Sequence, residues 1–417
     1  MSQTGVWGVE RRRQARRKVS FCRGAKLMPR LSQAASRDDG PMIAATFFGS
    51  IGMSGTFEQA RDFFIEGVAH YQAGRLTDAE RSFAASLALV PGRASTLTNL
   101  GAVRLKLGKV QEAADLLEEA LKQEPDNAEA LGHRATALAE LGQHKDALNC
   151  ADRALALNPA LGPVWSLRGE LLKDLGRYDE AATSFENAIA HGGDPQLHRY
   201  YLASLTGRDV PAKPPRQYVE TLFDHYAEGF DEHLVQVLHY RAPQVLAEGL
   251  KRMKRRFTRA LDLGCGTGLC GPLVKPMAGA LVGVDLSATM VERAASLGVY
   301  DEVVQSDVVS YLQATPHRFD LMLAADVFIY VGALEDVFAG AARVIEPGGA
   351  FCFSVEASTS EDVALQRSLR YAHSRGYIEG LAAKYGFDIT AMTEQPIRED
   401  QLLPIPGLYF WLERTPS

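Results

Sequence analysis

Between residues 60 and 195 the apolar positions follow the spacing of amphipathic helices, and the pattern recurs every 34 residues. Each unit predicts two helices, with glycine in the turn between them, alanine where they cross closely, and proline after the second helix. The columns that keep the period are Gly74, Gly108, Gly142 and Gly176; Ala79, Ala113, Ala147 and Ala181; and Pro91, Pro125 and Pro159. About four such units predict an all-α solenoid.

The third unit departs most from this pattern. Arg134 and Ala135 replace the usual Leu-Gly pair, and Ala151 replaces a large apolar residue. We therefore expect looser packing in this unit.

Beyond residue 220, short β-rich runs alternate with helical patterns, which predicts a doubly wound parallel sheet. Five strands are expected at 260–264, 280–285, 302–307, 319–325 and 350–355. Crossover helices are expected at 292–297, 336–345 and 367–386. The runs 388–399 and 407–415 read as two final strands, one of them antiparallel.

Three prolines between Pro211 and Pro215 mark a linker between the two halves of the chain. The predicted organisation is a basic N-terminal tail over 1–56, a repeat domain over 57–206, a linker over 207–219 and an α/β domain over 220–417.

Composition places the chain among soluble globular proteins of two or three domains, with 417 residues, 46% of them apolar, and a pI near 6.0. No basic excess points to nucleic acid as a partner, and no apolar stretch is long enough to span a membrane. Five scattered cysteines without a C-x-x-C pair predict neither disulfides nor zinc, and fit a cytoplasmic protein.

Charge is concentrated at the N-terminus, where residues 1–37 hold ten Lys or Arg against the single acid Glu10. The run at 11–18 is consistent with a disordered tail, a nucleic-acid or membrane-surface arm, or a targeting segment. Met53 is an alternative translation start, because the periodic sequence begins just after it.

The stretch LDLGCGTGLCG at 261–271 contains two overlapping glycine patterns. Gly266, Gly268 and Gly271 form the G-x-G-x-x-G of a dinucleotide-binding turn, which would make the protein a dehydrogenase. Read from Asp262, the same stretch is D-x-G-x-G-x-G, a turn suited to an amino acid attached to a nucleoside. In both cases glycines let the backbone approach the ligand at a helix N-terminus.

The motifs that follow along the chain favour the second pattern, because together they resemble those of a known family. The repeats resemble tetratricopeptide repeats, and residues 220–415 resemble a class I S-adenosylmethionine-dependent methyltransferase with a Rossmann-like fold. The matching motifs are the turn at 262–268, Asp285 after the second strand, Asp307 after the third, FDLMLAADVFIYV and RVIEPGGAFCFSV. The whole chain is similar to bacterial tetratricopeptide-repeat methyltransferases.

This resemblance implies S-adenosylmethionine as cofactor and S-adenosylhomocysteine as product. It implies that Asp262 orients the ammonium group, Asp285 accepts both ribose hydroxyls, and Asp307 accepts from the adenine amine while Val308 touches the ring. Strand-end aspartates can also cap a helix without touching a ligand. The remaining cofactor-binding residues expected are Gly264, Cys265, Gly266, Gly268, Leu286, Met290, Ala324 and Tyr226.

Tyr226 and Phe230 lie one turn apart on an amphipathic helix expected at 223–240, where related enzymes have a helix that covers the cofactor. The histidines of this segment lack an accompanying acid or cysteine cluster, so no metal is predicted.

Residues beyond the fourth and fifth strands are expected to face the methyl acceptor. His373 is the preferred base, with Tyr371 and Asp326 as further catalytic candidates. Other residues expected to face the acceptor are Phe328, Tyr330, Glu356 and Ser374. No N-P-P-Y run follows the fourth strand, which argues against the subclasses that methylate exocyclic amines and glutamine amides.

Repeats of this family imply protein binding, and Asn99, Arg104, His133 and Arg168 on the first helices are candidates to face a ligand. The leading hypothesis is a methyltransferase whose repeats recruit a protein or protein-borne acceptor. Alternatives are a small-molecule O- or C-methyltransferase whose repeats serve assembly, and a scaffold that binds cofactor without turnover.

Overall fold

A computed structural model describes residues 50–226, 233–400 and 402–416. The chain divides into two compact units between His198 and Arg199. Unit 1 is a helical repeat and unit 2 is an α/β domain, as predicted. Most of the predicted basic tail and Phe230 lie outside the described residues.

Unit 1 consists of paired helices that pack in chain order. The pairs are α1 (Ser50–Gln72) with α2 (Leu76–Leu89), α3 (Ala94–Lys106) with α4 (Val110–Gln123), α5 (Ala128–Glu140) with α6 (His144–Leu157), and α7 (Gly162–Asp174) with α8 (Tyr178–Ala190). The first helices α3, α5 and α7 also contact one another in succession. Residues 50–56, assigned to the tail from the sequence, instead belong to α1.

Close approach within each pair depends on a glycine of the first helix. A Cβ on Gly101 would lie 2.7 Å from Leu117 Cγ, and one on Gly169 would lie 2.6 Å from the Phe185 ring. Gly67 faces Phe83 in the same way. In all three pairs the glycine and its partner are 16 residues apart, so one packing arrangement is repeated along the unit.

In the third pair, different residues lie at the positions where the two helices approach closely. Ala135 and Ala151, also 16 residues apart, are both fully buried. A larger residue on the first helix is therefore matched by a smaller one on the second. The looser packing expected from the sequence does not open this part of the core to solvent.

Unit 2 is built on a sheet whose parallel strands run in the order β3-β2-β1-β4-β5. These strands are β1 (Phe257–Leu263), β2 (Ala278–Asp285), β3 (Glu302–Gln305), β4 (Phe319–Ala324) and β5 (Ile345–Ala357). The final hairpin of β8 (Phe387–Asp400) and β9 (Leu403–Arg414) joins the edge through antiparallel pairing of β9 with β5. The five strands and the antiparallel last strand match the prediction.

Helices cover both faces of the sheet. They are α10 (Arg216–Tyr226), α11 (Ala242–Arg252), α12 (Gly271–Val274), α13 (Ala288–Ser296), α14 (Val308–Ala314), α15 (Glu335–Val344) and α16 (Arg375–Tyr385). Side chains alternate along β5, with Phe351 and Phe353 in the core under α15 and α16 and Cys352 in the core under α11. This period of two buries both faces of the central strands.

The crossover helix predicted at 367–386 is wrong in its first half. Residues 371–373 form β7 (Tyr371–His373), which pairs with the end of β5 and with β6 (Val363–Leu365). The helix begins only at Arg375, because the Ser374 side chain accepts from the Tyr377 N–H as an N-cap. The hairpin of β6 and β7 therefore includes residues that the helical periodicity predicted to be part of the helix.

The segment before the sheet also differs from prediction. Of the described residues in the predicted helix 223–240, residues 223–226 belong to α10, His233–Val237 form a π-helical turn and residues 238–240 are not helical, so the predicted helix does not extend to residue 240. Residues 207–219 are not a free linker either. Pro211 O accepts from the Tyr371 hydroxyl, and Ala212 O accepts from the Gly332 and Ala333 N–H groups.

The division between the units falls inside α9 (Pro195–Thr206), before the predicted domain boundary after residue 206. His198 bonds to Ser166 within unit 1, whereas the Tyr200 hydroxyl donates to Leu369 O within unit 2. The end of this helix thus belongs to the α/β domain.

Replacing Gly101 by alanine tests the close crossing of α3 and α4. We expect Gly101→Ala to lower the free energy of unfolding by about 1 to 2 kcal/mol, because the new methyl group overpacks against Leu117. Denaturant unfolding followed by the helical circular dichroism signal measures the change.

Three further variants complete the test. Leu117→Ala alone leaves a cavity, and the double variant should cost less than the sum of the two single changes, because it recreates the Ala135/Ala151 pair. Gly380→Ala is the control, since its Cβ meets no atom within 4 Å and should be neutral or stabilising. Full additivity of the two unit 1 changes would contradict this account of the crossing.

Candidate active site

The turn after β1 brings three glycines to the carboxyl edge of the sheet. Gly264, Gly266 and Gly268 have φ values of 70°, 55° and 94°, which side chains rarely adopt. A Cβ on Gly266 would meet nothing within 4 Å. The turn therefore presents open backbone on which a ligand can lie.

Asp285, at the end of β2, is fixed to this turn. Its Oδ2 accepts from the Gly266 N–H at 2.8 Å and its Oδ1 from the Ser287 N–H at 3.0 Å. Each carboxylate oxygen has a further lone pair. The carboxylate is thus held against the glycine turn, at the carboxyl edge of the sheet.

Asp262, on β1, is buried directly beneath the turn, with 1% of its surface exposed. Its Oδ2 accepts from the Tyr300 hydroxyl at 2.6 Å. Burial raises the pKa of Asp262 to about 7, while the bond from Tyr300 acts to lower it and the charge of Asp285 to raise it. A cation placed here would favour the ionised carboxylate.

Asp307 caps α14, since its Oδ1 accepts from the Val309 and Ser310 N–H groups. The capping alternative is therefore observed. All of these bonds use Oδ1, so Oδ2 can accept from a ligand, and contact of Asp307 with adenine stays a prediction.

A second polar cluster lies at the ends of β4 and β5. Asp326 Oδ2 accepts from Arg398 at 2.5 Å, and Glu356 Oε1 accepts from the same guanidinium. Arg370 acts electrostatically on both carboxylates and hydrogen-bonds Tyr330. Burial raises the pKa values of Asp326 and Glu356, and Arg398 opposes that rise.

Local backbone geometry creates this cluster. Asp326 has a φ of 60°, an uncommon conformation for a residue other than glycine, and its N–H donates to Ser354 Oγ. The pairing of β8 with β9 shifts register between Pro396 and Arg398, and this bulge accompanies the burial of Arg398.

The two groups of residues adjoin one another. A Cβ on Gly264 would lie 2.5 Å from Val327 Cγ2, so the residue after Asp326 packs against the glycine turn. A pocket of about 540 Å³ opens beside Glu356 and is also lined by Leu365, Arg367 and Ile405. One sheet edge thus holds an open turn, two separate acid sites and a pocket.

Comparison with known families assigns the two parts of the chain. Residues 261–353 match the family described as a methyltransferase domain. Residues 104–171 and 166–205 each match a tetratricopeptide repeat family. This chain combines tetratricopeptide repeats with a methyltransferase domain.

Curated relatives match the methyltransferase domain only in part. Malonyl-[acyl-carrier protein] O-methyltransferase from Enterobacter lignolyticus is 30% identical over 149 residues, which cover 35% of this chain and 57% of that protein. Sterol 24-C-methyltransferase ERG6B from Gibberella zeae is 30% identical over 138 residues, or 30% of this chain and 33% of that protein. The chain therefore spans at most about three-fifths of the length of these two relatives.

Solved structures similar to this chain include the N-methyltransferase NodS from Bradyrhizobium japonicum, with 16% identity and a TM-score of 0.36. That match covers 42% of this chain and 86% of NodS. Magnesium protoporphyrin IX methyltransferase from Synechocystis matches with 14% identity and a TM-score of 0.37, over 48% of this chain and all of the other.

The residues of the methyltransferase domain fit S-adenosylmethionine, as the open turn at Gly266 and the acids Asp262 and Asp285 show. Gly271, which completed the dinucleotide pattern, has a packing role instead, because its Cβ would lie 2.8 Å from the Tyr300 ring. The overlapping G-x-G-x-x-G is therefore explained without a pyrophosphate.

The other residues expected at the cofactor differ in how deeply they are buried. Met290 and Ala324 are fully buried, and Cys265 is buried with its Sγ 3.0 Å from the Cβ position of Gly283. Leu286 is half-buried and its carbonyl accepts from Gln305. Tyr226 ends α10, which packs against α13, but its side chain lies outside the described residues.

The surroundings of His373 argue against its predicted role as base. It is fully buried, and its Nε2 donates to Val331 O and Gly332 O. Burial lowers the pKa of His373 to about 4, so it is a weak proton acceptor.

Tyr371 is also fully buried and its hydroxyl donates to Pro211 O, which gives it a packing role. Phe328 belongs to the core, and Ser374 caps α16. Of the residues expected to face the acceptor, the structure brings together Asp326, Tyr330 and Glu356.

Sequence reasoning did not identify Arg398 or Tyr300. Arg398 lies in a polar stretch of β8, and its burial accompanies a register shift between Pro396 and Arg398 that the sequence does not reveal. Tyr300 precedes β3 outside any motif, and its role depends on three glycines that are distant from it in sequence.

Removing the cation of the second cluster should destabilise the methyltransferase domain. Arg398→Met removes the cation that hydrogen-bonds both buried carboxylates and leaves them only the electrostatic influence of Arg370, so we expect the free energy of unfolding to fall by about 3 to 5 kcal/mol at pH 7. Burial raises the folded-state pKa of Asp326 and Glu356 above their unfolded values. The folded state therefore takes up more protons as pH falls, and the loss should be smaller at pH 5.

Thermal unfolding at pH 7 and pH 5 measures this difference, with Arg398→Lys as the matched control that retains the charge. An equal loss at both pH values would contradict the assignment of two buried carboxylates whose charge Arg398 stabilises.

Proposed function

We propose that this protein transfers a methyl group from S-adenosylmethionine to a protein or protein-borne acceptor that the tetratricopeptide repeats recruit. The observation that carries the methyl-transfer proposal is the open glycine turn flanked by Asp262 and Asp285, within a chain segment that matches the methyltransferase domain family.

When bound, S-adenosylmethionine supplies a methyl group already activated by its sulfonium. The protein therefore needs mainly to align the reactants and exclude water. Asp262 would pair with the ammonium group, and Asp285 would accept from the ribose hydroxyls. The open backbone at Gly266 would allow close approach of the cofactor.

On the acceptor side, Asp326 is the residue best placed to receive a proton. Its Oδ1 is buried and finds no hydrogen-bond partner in the described part of the chain, while Oδ2 is held by Arg398. Burial raises the pKa of Asp326, which makes it a better proton acceptor than an exposed aspartate. The pocket beside Glu356 is large enough for a small acceptor group.

Two relatives are named for an acceptor on a protein, malonyl-[acyl-carrier protein], which supports a protein-borne acceptor. Others are named for sterol or ubiquinone biosynthesis, and these favour the alternative of a small-molecule acceptor. Among the described residues, no helix is long and apolar enough to cross a membrane.

The repeat residues differ in how much they can offer a partner. Arg104 pairs with Glu80 and Glu112, and Arg168 pairs with Asp152, so both are held within unit 1. Half-buried Asn99 donates to Ser95 O through Nδ2, which leaves its oxygen as an acceptor. Burial lowers the pKa of His133 to about 4, so its ring is neutral and can both donate and accept.

Cofactor choice is tested by calorimetry with S-adenosylhomocysteine and NAD. We expect S-adenosylhomocysteine to bind and NAD not to bind. Asp285→Ala should weaken S-adenosylhomocysteine binding by about 1.5 to 3 kcal/mol, through loss of hydrogen bonds to a charged group. The exposed variant Asp336→Ala serves as control, and tight NAD binding would overturn the assignment.

Acceptor recruitment is tested in the full-length protein by transfer of labelled methyl groups to a size-fractionated lysate. We expect label in protein, and we expect the double variant Asn99→Ala/His133→Ala to reduce it about tenfold, equivalent to about 1.4 kcal/mol of lost recognition.

Cofactor affinity should not change in that variant. The matched control replaces exposed Glu119 and Glu186 on second helices of the repeats. Label only in small molecules would favour the alternative acceptor, and no label in any fraction would favour a scaffold without turnover.

A further inference from the structure

We propose that Tyr300 is a positioning residue that fixes the Asp262 carboxylate beneath the glycine turn, and thereby sets the affinity for the cofactor's ammonium group. This inference rests on the proposed function, because it assumes that Asp262 meets that ammonium group.

The ring of Tyr300 occupies the space that three glycines leave open. Added Cβ atoms would lie 3.0 Å from the ring at Gly268, 2.8 Å at Gly271 and 3.1 Å at Gly283. Gly268 belongs to the turn after β1, Gly271 begins α12, and Gly283 lies in β2. The ring therefore packs under the turn and against the neighbouring strand.

The hydroxyl of Tyr300 reaches from this packed ring to the Asp262 carboxylate. It donates to Oδ2 at 2.6 Å, and Asp262 is almost wholly buried. This donor holds Oδ2 in place, while Oδ1 can accept from a ligand. A phenol whose ring is confined on several sides can hold that oxygen in one place.

The same hydrogen bond stabilises the charged form of Asp262, which a cationic group requires. Burial raises the pKa of Asp262 to about 7, and the Tyr300 hydroxyl acts against that rise. The other titratable groups beside Asp262 are Asp285, Cys265 and Cys270. Burial raises the pKa of both thiols, so they stay uncharged at neutral pH and do not titrate there alongside Asp262.

A linkage between pH and binding follows. A cation binds the ionised carboxylate, so affinity should be greatest above pH 7 and should fall as pH drops below the pKa of free Asp262. Loss of the Tyr300 hydroxyl raises that pKa, and the fall should then begin at higher pH.

The test measures binding of S-adenosylhomocysteine to the full-length protein by calorimetry from pH 5.5 to pH 8, compared with Tyr300→Phe, which keeps the ring and removes the hydroxyl. We expect about tenfold weaker binding at pH 7 and a pH dependence displaced upward by about one unit. Tyr377→Phe, which removes a partly buried hydroxyl far along the chain on α16, should leave both measurements unchanged.

A double-mutant cycle with Asp262→Asn separates positioning from packing. Asparagine cannot ionise, so binding to this variant should be weaker and independent of pH in the neutral range. Proton release on binding, measured in buffers of different ionisation enthalpy, should disappear. Adding Tyr300→Phe to Asp262→Asn should then change affinity by less than about twofold.

The outcomes distinguish the two proposals. Failure of the unaltered protein to bind S-adenosylhomocysteine at any pH would reject the proposed cofactor. Normal binding with an unchanged affinity and pH dependence in Tyr300→Phe would reject the role of Tyr300 alone. If Tyr300→Phe weakens binding equally in the unaltered protein and in the Asp262→Asn variant, the role is also rejected, because Tyr300 would then act without the carboxylate.

Discussion

Parallel pairing of the five central strands carries their carboxyl ends to one edge of the sheet. Backbone hydrogen bonds continue along each strand, but at this edge the chain must turn, and polar groups become available there. Asp262, Asp285, Asp326 and Glu356 all lie near these strand ends. The strand order therefore determines which acids can act together.

Three of these acids depend on a specific partner because of the burial of their carboxylates. Asp262 relies on a neutral hydroxyl from Tyr300, whereas Asp326 and Glu356 share the cation of Arg398. A buried ion pair is weak support for stability, because desolvation of the charges offsets much of their attraction. Stability alone therefore does not account for the network around Arg398.

Much of the fold was accessible from sequence because its signals are local. A solenoid repeat contacts mainly its neighbours, so a 34-residue period in glycine, alanine and proline specifies its helices. The central strands follow from apolar runs, and the glycine turn follows from its spacing. Asp262 and Asp285 could be located because each stands at a strand end beside that turn.

What could not be predicted depends on contacts between distant segments. Ser374 starts a helix that periodicity alone would begin earlier, and a register shift in β8 turns Arg398 into the core. The fit of Tyr300 depends on glycines from the turn after β1, from the start of α12 and from β2. The full burial of His373, which argues against the predicted base, was also not predictable, because residue type alone does not determine exposure.

In the third repeat a larger residue on the first helix is paired with a smaller one on the second. The two helices of a repeat are therefore matched to each other, and this limits how the solenoid can be recombined. Ala135 on α5 is suited to Ala151 on α6, whereas Gly101 on α3 is suited to Leu117 on α4. A chimera joined between the two helices of a repeat would set Ala135 against a leucine, or a glycine against Ala151, producing a clash or a void. A chimera joined between repeats keeps each pair together. Recombination and engineering can therefore exchange whole helix pairs, while single helices are not interchangeable parts.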